Sequence, residues 1–93
     1  MYFVLLYEVV EDFINRRTPF RPNHLRMLEE AHRRGELVMA GAFSDPADGA
    51  ALVFRGTDSA TAKRFAETDP YVTNGLVKNW RVRGWNVVIG GEG

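Results

Sequence analysis

Residues 2–10 are apolar on both alternating sets: Phe3, Leu5, Tyr7 and Val9 on one, Tyr2, Val4, Leu6 and Val10 on the other. A strand covered on one face alternates apolar with polar residues; a strand covered on both reads apolar throughout. The stretch is therefore expected as a central strand with both faces covered. In so short a chain helices can cover one face. A second subunit is the simplest cover for the other.

Glu11 to Phe20 is a polar connection. It carries one short helical turn over Glu11–Arg17, ended by Thr18-Pro19 because the residue before proline is pushed out of the α region. The apolar positions then change to helical spacing. Leu25, Leu28 and His32, with Met27 and Ala31 alongside, form a stripe opposite Arg26, Glu29, Glu30 and Arg33. This predicts a helix from about Pro22 to Arg34, with proline in its first turn and Gly35 as its stop.

Leu37–Phe43 reads as a second strand. Ser44–Gly49 is dense in turn formers and reads as a hairpin loop, leading to a third strand over Ala50–Arg55. Leu52, Val53 and Phe54 make that strand apolar on both faces. Asp58 or Ser59 can cap a helix over about Ala60–Thr68, with Ala62, Phe65 and Ala66 inward. Asp69-Pro70-Tyr71 starts a further short turn, with Asp69 at its N-cap, ended by Gly75. Leu76–Ile89 reads as a long last strand. Leu76, Trp80 and Val82 fit one parity and Trp85, Val87 and Ile89 the other, which predicts a β-bulge at Gly84. Gly90-Gly91-Glu92-Gly93 is expected to be a loose tail.

The order strand, helix, strand, strand, helix, strand gives an α+β class and a ferredoxin-like βαββαβ unit, with residues 1–93 as one domain. Composition narrows the function classes. Twelve Lys+Arg balance twelve Asp+Glu, which argues against general polyanion binding and so against nucleic acid. There is no cysteine, which excludes disulfides, thiolate nucleophiles and Cys-based zinc sites. No apolar run approaches the ~18 residues of a membrane span, and no signal-peptide pattern opens the chain. A cytoplasmic protein with no membrane contact is expected. No glycine-rich phosphate loop is present, so no nucleotide cofactor is indicated.

The chemistry centres on His24 and Asp69. Imidazole exchanges a proton most readily near neutral pH. Each residue starts a helical turn, one in each half of the duplicated unit, so the two could face one pocket. A carboxylate accepting from one ring nitrogen would orient the imidazole and leave the other nitrogen to take or give a proton. Asp before Pro is also ordinary capping, and the sequence does not decide whether the two meet. His32 is two helical turns from His24, roughly 12 Å, so the pair cannot share a metal. His32 is read as a boundary residue beside the core, and no metal site is expected. Arg17 or Arg21 could hold an anionic group by paired hydrogen bonds.

These residues also fit a known pattern. Arg17, then Arg21-Pro22-Asn23-His24-Leu25, Leu28, Gly35-Glu36-Leu37, Ala40-Gly41, Gly49, Asp69-Pro70-Tyr71 and Gly75-Leu76 resemble the YciI-like (YCII-related) family. The resemblance implies a ferredoxin-like fold that dimerises through its sheet into an α/β barrel, and a His–Asp active site on His24 and Asp69. It points to relatives such as a dehydrochlorinase acting on a chlorinated hydroxyquinol and, in the wider superfamily, muconolactone isomerases. Ala42 stands where the family often has proline, and the 44–50 loop is short; both bear on the pocket. The expectation is a homodimeric lyase or isomerase without a redox cofactor. His24 would be the acid or base, Asp69 its orienter, and Arg17, Arg21 and Tyr71 would contact a small anionic or phenolic substrate. The alternatives are a non-catalytic small-ligand-binding module and a dimerisation module.

Overall fold

The computed structural model describes residues 1–91. Its elements are β1 (Tyr2–Val9), α1 (Phe13–Arg16), α2 (Arg21–Arg33), β2 (Leu37–Ala42), β3 (Gly49–Arg55), α3 (Ala60–Thr68), α4 (Pro70–Thr73) and β4 (Val77–Trp85). The four strands form one sheet in the order β2-β3-β1-β4, with every neighbouring pair antiparallel. This is the α+β, ferredoxin-like arrangement: β3 inserts between β1 and β2, and β4 pairs with the free side of β1. The central place read for the first strand is where β1 lies.

One sheet face carries the helices. Phe3, Leu5, Tyr7 and Val9 of β1 and Leu52 and Phe54 of β3 are buried there, against Phe13, Ala31, Ala62, Phe65, Ala66 and Tyr71. The other face holds Val4, Leu6, Ala51 and Val53, all half-buried, with Met39 64% exposed and Trp85 52% exposed at its margins. No described helix lies over that second face, and no described helix is long and apolar enough to cross a membrane.

Two expectations are corrected. First, β4 ends at Trp85, and residues 86–89 leave the sheet. Gly84 pairs in regular register with Phe3; the irregularity falls between Glu8 and Val9, where Lys78 is the extra residue. The parity slip therefore marks the strand's end, since Val87 and Ile89 lie beyond the ladder.

Second, His32 is exposed, and the inward stripe of α2 is His24, Met27, Leu28 and Ala31. The spacing was right and its phase was not: a histidine fills the first inward position, where hydropathy sees a polar residue. Leu25 is 38% exposed. Of the two residues offered as caps for α3, Asp58 supplies the side chain: its Oδ1 accepts from the Ala60 N–H at 2.9 Å, while Ser59, at the N-cap position, makes no side-chain cap. The tail expected to be loose falls partly on residues 92 and 93, which lie outside the described residues.

The hairpin leading to β3 depends on one glycine. A Cβ at Gly49 would lie 2.5 Å from the Tyr7 carbonyl oxygen and 3.1 Å from Phe43 Cδ2. Backbone cannot yield there without breaking the β1–β3 ladder, which pairs Glu8 with Gly49. Gly49→Ala is expected to lower stability by about 1–3 kcal/mol, the usual cost of overpacking, read as a fall in the urea midpoint at unchanged slope.

Candidate active site

Proline places the carboxylate. Pro70 forces Asp69 into extended backbone, φ −64° and ψ 124°, which ends α3 at Thr68 and makes Asp69 the N-cap of α4. Its Oδ1 accepts from the Tyr71 backbone N–H at 3.0 Å. The capping role is real, but the same carboxylate does more. It is fully buried, and it meets the His24 ring, with Nδ1 2.9 Å from Oδ1 and 3.0 Å from Oδ2. Tyr7 donates its hydroxyl to Oδ2 at 2.7 Å.

The proton on this imidazole can be assigned from its neighbours. Asp69 accepts from the Tyr71 N–H, which can only donate, and from Tyr7. With the carboxylate acting as acceptor, Nδ1 carries the proton towards it. Nε2 is then a lone pair without a protein partner among the described residues. The ring itself borders a cleft of about 200 Å³.

Aromatic packing fixes the ring plane. His24 stacks on Tyr71 with centroids 3.8 Å apart and planes 14° from parallel. Phe13 meets Tyr71 edge-on at 5.2 Å. The cleft runs from this stack to the β2–β3 side of the sheet, bordered by Leu25 and Leu28 on α2 and by Ala40, Gly41, Ala42, Ala50 and Leu52 on the strands. The hollow exists because those strand positions carry little side chain. Arg17 and Arg21 line it as well and supply positive charge; the Arg17 guanidinium carbon also sits 5.6 Å from the Phe13 ring centre.

All five residues singled out in the sequence border the cleft or contact a residue that does: His24, Arg17, Arg21 and Tyr71 line it, and Asp69 lies behind His24. Sequence reasoning missed Tyr7, which looked like one more apolar position of β1. The available signal was its type, because a buried phenol needs a hydrogen-bond partner. It also missed Ala50 as part of the cavity wall, whereas Ala42 was singled out as bearing on the pocket.

The tyrosines are held neutral. Burial pushes the Tyr7 phenol well above its usual range, and the adjoining Asp69 carboxylate adds to the effect. Burial also pushes Tyr71 up, while the Arg17 and Arg21 guanidiniums pull against it. The sign for stability follows. Below pH ~10 both folded and unfolded Tyr7 are neutral. Above it only the unfolded chain releases the proton, so stability falls as pH rises, by about 1.4 kcal/mol per pH unit for this one group. Urea midpoints at pH 9, 10 and 11 are expected to fall in the wild type and to fall less steeply in Tyr7→Phe.

The family model of the YCII-related domain matches residues 1–86. Among solved structures the chain is similar to 5-chloro-2-hydroxyhydroquinone dehydrochlorinase from Burkholderia phenoliruptrix AC1100, in complex with 2,5-dihydroxybenzoquinone. The TM-score is 0.76 at 19% identity, covering 92% of this chain and 94% of that one. At that identity the likeness is one of fold. No curated protein matches the sequence. A match over nearly its whole length settles the family: the chain belongs to the YCII-related family.

Proposed function

We propose that the cleft is the active site of a lyase or isomerase acting on a small anionic or phenolic molecule, with His24 as the general base and no redox cofactor. The observation that carries this reading is the His24–Asp69 contact, which leaves Nε2 unengaged on a cleft that also presents two guanidiniums. In an elimination, Nε2 takes a proton from the substrate. The released electron pair forms the new double bond, and the group on the neighbouring carbon leaves as an anion. In an isomerisation the same nitrogen returns the proton to a different carbon. Asp69 orients the ring and stabilises the charge it gains. Arg17 and Arg21 hold the substrate's negative group, and Tyr71 offers a hydroxyl.

The dehydrochlorinase of similar fold was solved with 2,5-dihydroxybenzoquinone, a single small ring, and the cleft here is below the usual range for drug-sized ligands. Both features favour a small compact substrate. Exchange of carbon-bound hydrogen in D2O tests the reading without knowledge of the product. A panel of small enolisable carboxylates and phenols is incubated with protein and followed by proton NMR. The wild type is expected to exchange at least one of them, and His24→Ala to lose about 10²- to 10⁴-fold of that rate while still folding cooperatively, at a lower melting temperature. Equal rates in the two proteins would remove His24 as the base.

The second sheet face supports a homodimer. Val4, Leu6, Ala51 and Val53 form an apolar strip across β1 and β3 that no described helix covers, and a second copy presenting the same strip would bury it. Sedimentation is expected to give twice the chain mass. Val53→Arg is expected to shift the protein to monomer with its helical circular dichroism retained.

A further inference from the structure

Tyr7 is the one hydroxyl on the inward side of β1, among Phe3, Leu5 and Val9, and it is 5% exposed. Its oxygen does not reach the cleft's cations or solvent for a partner; it donates to Asp69 Oδ2 at 2.7 Å. The strand beneath it is hydrogen-bonded on both sides, to β3 and to β4. The Tyr71 N–H holds Oδ1, so each carboxylate oxygen has one donor of its own besides the shared His24 nitrogen.

We infer that Tyr7 is a positioning residue that sets which nitrogen of His24 carries the proton. The inference rests on the reading of His24 as the base. While Tyr7 donates to Oδ2, that oxygen has no place for a proton of its own, and Asp69 acts only as an acceptor. The imidazole is then fixed as Nδ1–H, and its lone pair stays on Nε2, beside the cleft.

Without the hydroxyl, Oδ2 is bare in a dry site and can bind a proton. Taking that proton from solvent, Asp69 donates to Nδ1 while the proton Nδ1 held passes to Nε2, so the pair carries one proton more than in the wild type, and the cleft faces a donor in place of a base. A purely structural tyrosine would behave differently. Its loss would lower stability and leave the tautomer where it was.

The test reads the ring nitrogens of His24 by NMR in protein labelled with ¹⁵N-histidine, in the wild type and in Tyr7→Phe. His32, exposed on the same helix, serves as the internal reference and is assigned through His32→Gln. The spectra of both proteins are recorded at matched pH values from the histidine titration range up to pH 9, because the Nε2–H arrangement holds one proton more than the Nδ1–H one and gains population as pH falls. The wild type is expected to show Nδ1–H. In Tyr7→Phe the ratio of Nδ1–H to Nε2–H is expected to fall about tenfold, the equivalent of one hydrogen bond to a charged group, with His32 unchanged. An unchanged ratio in a folded Tyr7→Phe overturns the inference and leaves the base reading standing. Nε2–H in the wild type overturns both.

If Tyr7→Phe does not fold, the wild-type hydroxyl proton decides. Exchange as slow as the sheet amides of β1 supports the lock, whereas exchange at the rate of an exposed phenol overturns it.

Discussion

A carboxylate removed entirely from water is expensive unless every lone pair that matters is met by a donor. Asp69 meets that condition with groups from three directions: the β1 hydroxyl of Tyr7, the α2 ring of His24 and the first backbone N–H available in α4. Each donor lies far from the others in sequence or on a separate element. The contact therefore closes the tertiary structure and shapes the cleft in the same act. Pro70 is the local cause, since it breaks the backbone between α3 and α4 and turns the Asp69 side chain inward. The stack of Tyr71 on His24 then fixes the angle at which the imidazole meets the cleft.

The two faces of the sheet reflect a constraint of size. A chain of 93 residues has two helices longer than four residues, and both lie on one side. The other side is left half-buried, in keeping with small domains hiding only part of their surface on folding. The apolar outward phase of β1 and β3 is what the sequence would carry if that face were meant to be covered. Arg81 and Arg83, outward on β4 opposite Leu6 and Val4, frame the apolar strip with charge. A polar rim round an apolar centre is the usual composition of a protein contact.

Most of the fold was legible because its signals are local. The double apolar phase of β1, the prolines at 22 and 70, and the glycines at 35 and 75 each act within a few residues. Gly35 and Gly75 adopt left-handed backbone, with φ of 81° and 77°, at the ends of α2 and α4. The His24 and Asp69 positions were legible for the same reason, since each starts a helical turn. Their contact spans 45 residues and no local pattern encodes it. The hidden parts were likewise non-local. The phase of α2 was misread because the inward histidine owes its burial to a partner on another element. The β4 bulge falls at Lys78, a residue with no special backbone chemistry, while Gly84, which has it, pairs regularly. Tyr7 carried a polar atom whose importance depended on what lay across the core.

The floor of the cleft has a consequence of its own. Ala40, Ala42 and Ala50 are each two or three carbons short of the valine or leucine that a sheet position beneath a helix commonly holds. Each added methylene buried there would strengthen packing by about 0.8 kcal/mol while removing space from the ligand. Chain stability and binding capacity are thus set against each other at these three positions. Drift toward a better-packed protein is drift toward an empty-handed one, so the alanines mark where selection for a ligand must be acting if the hollow is to persist.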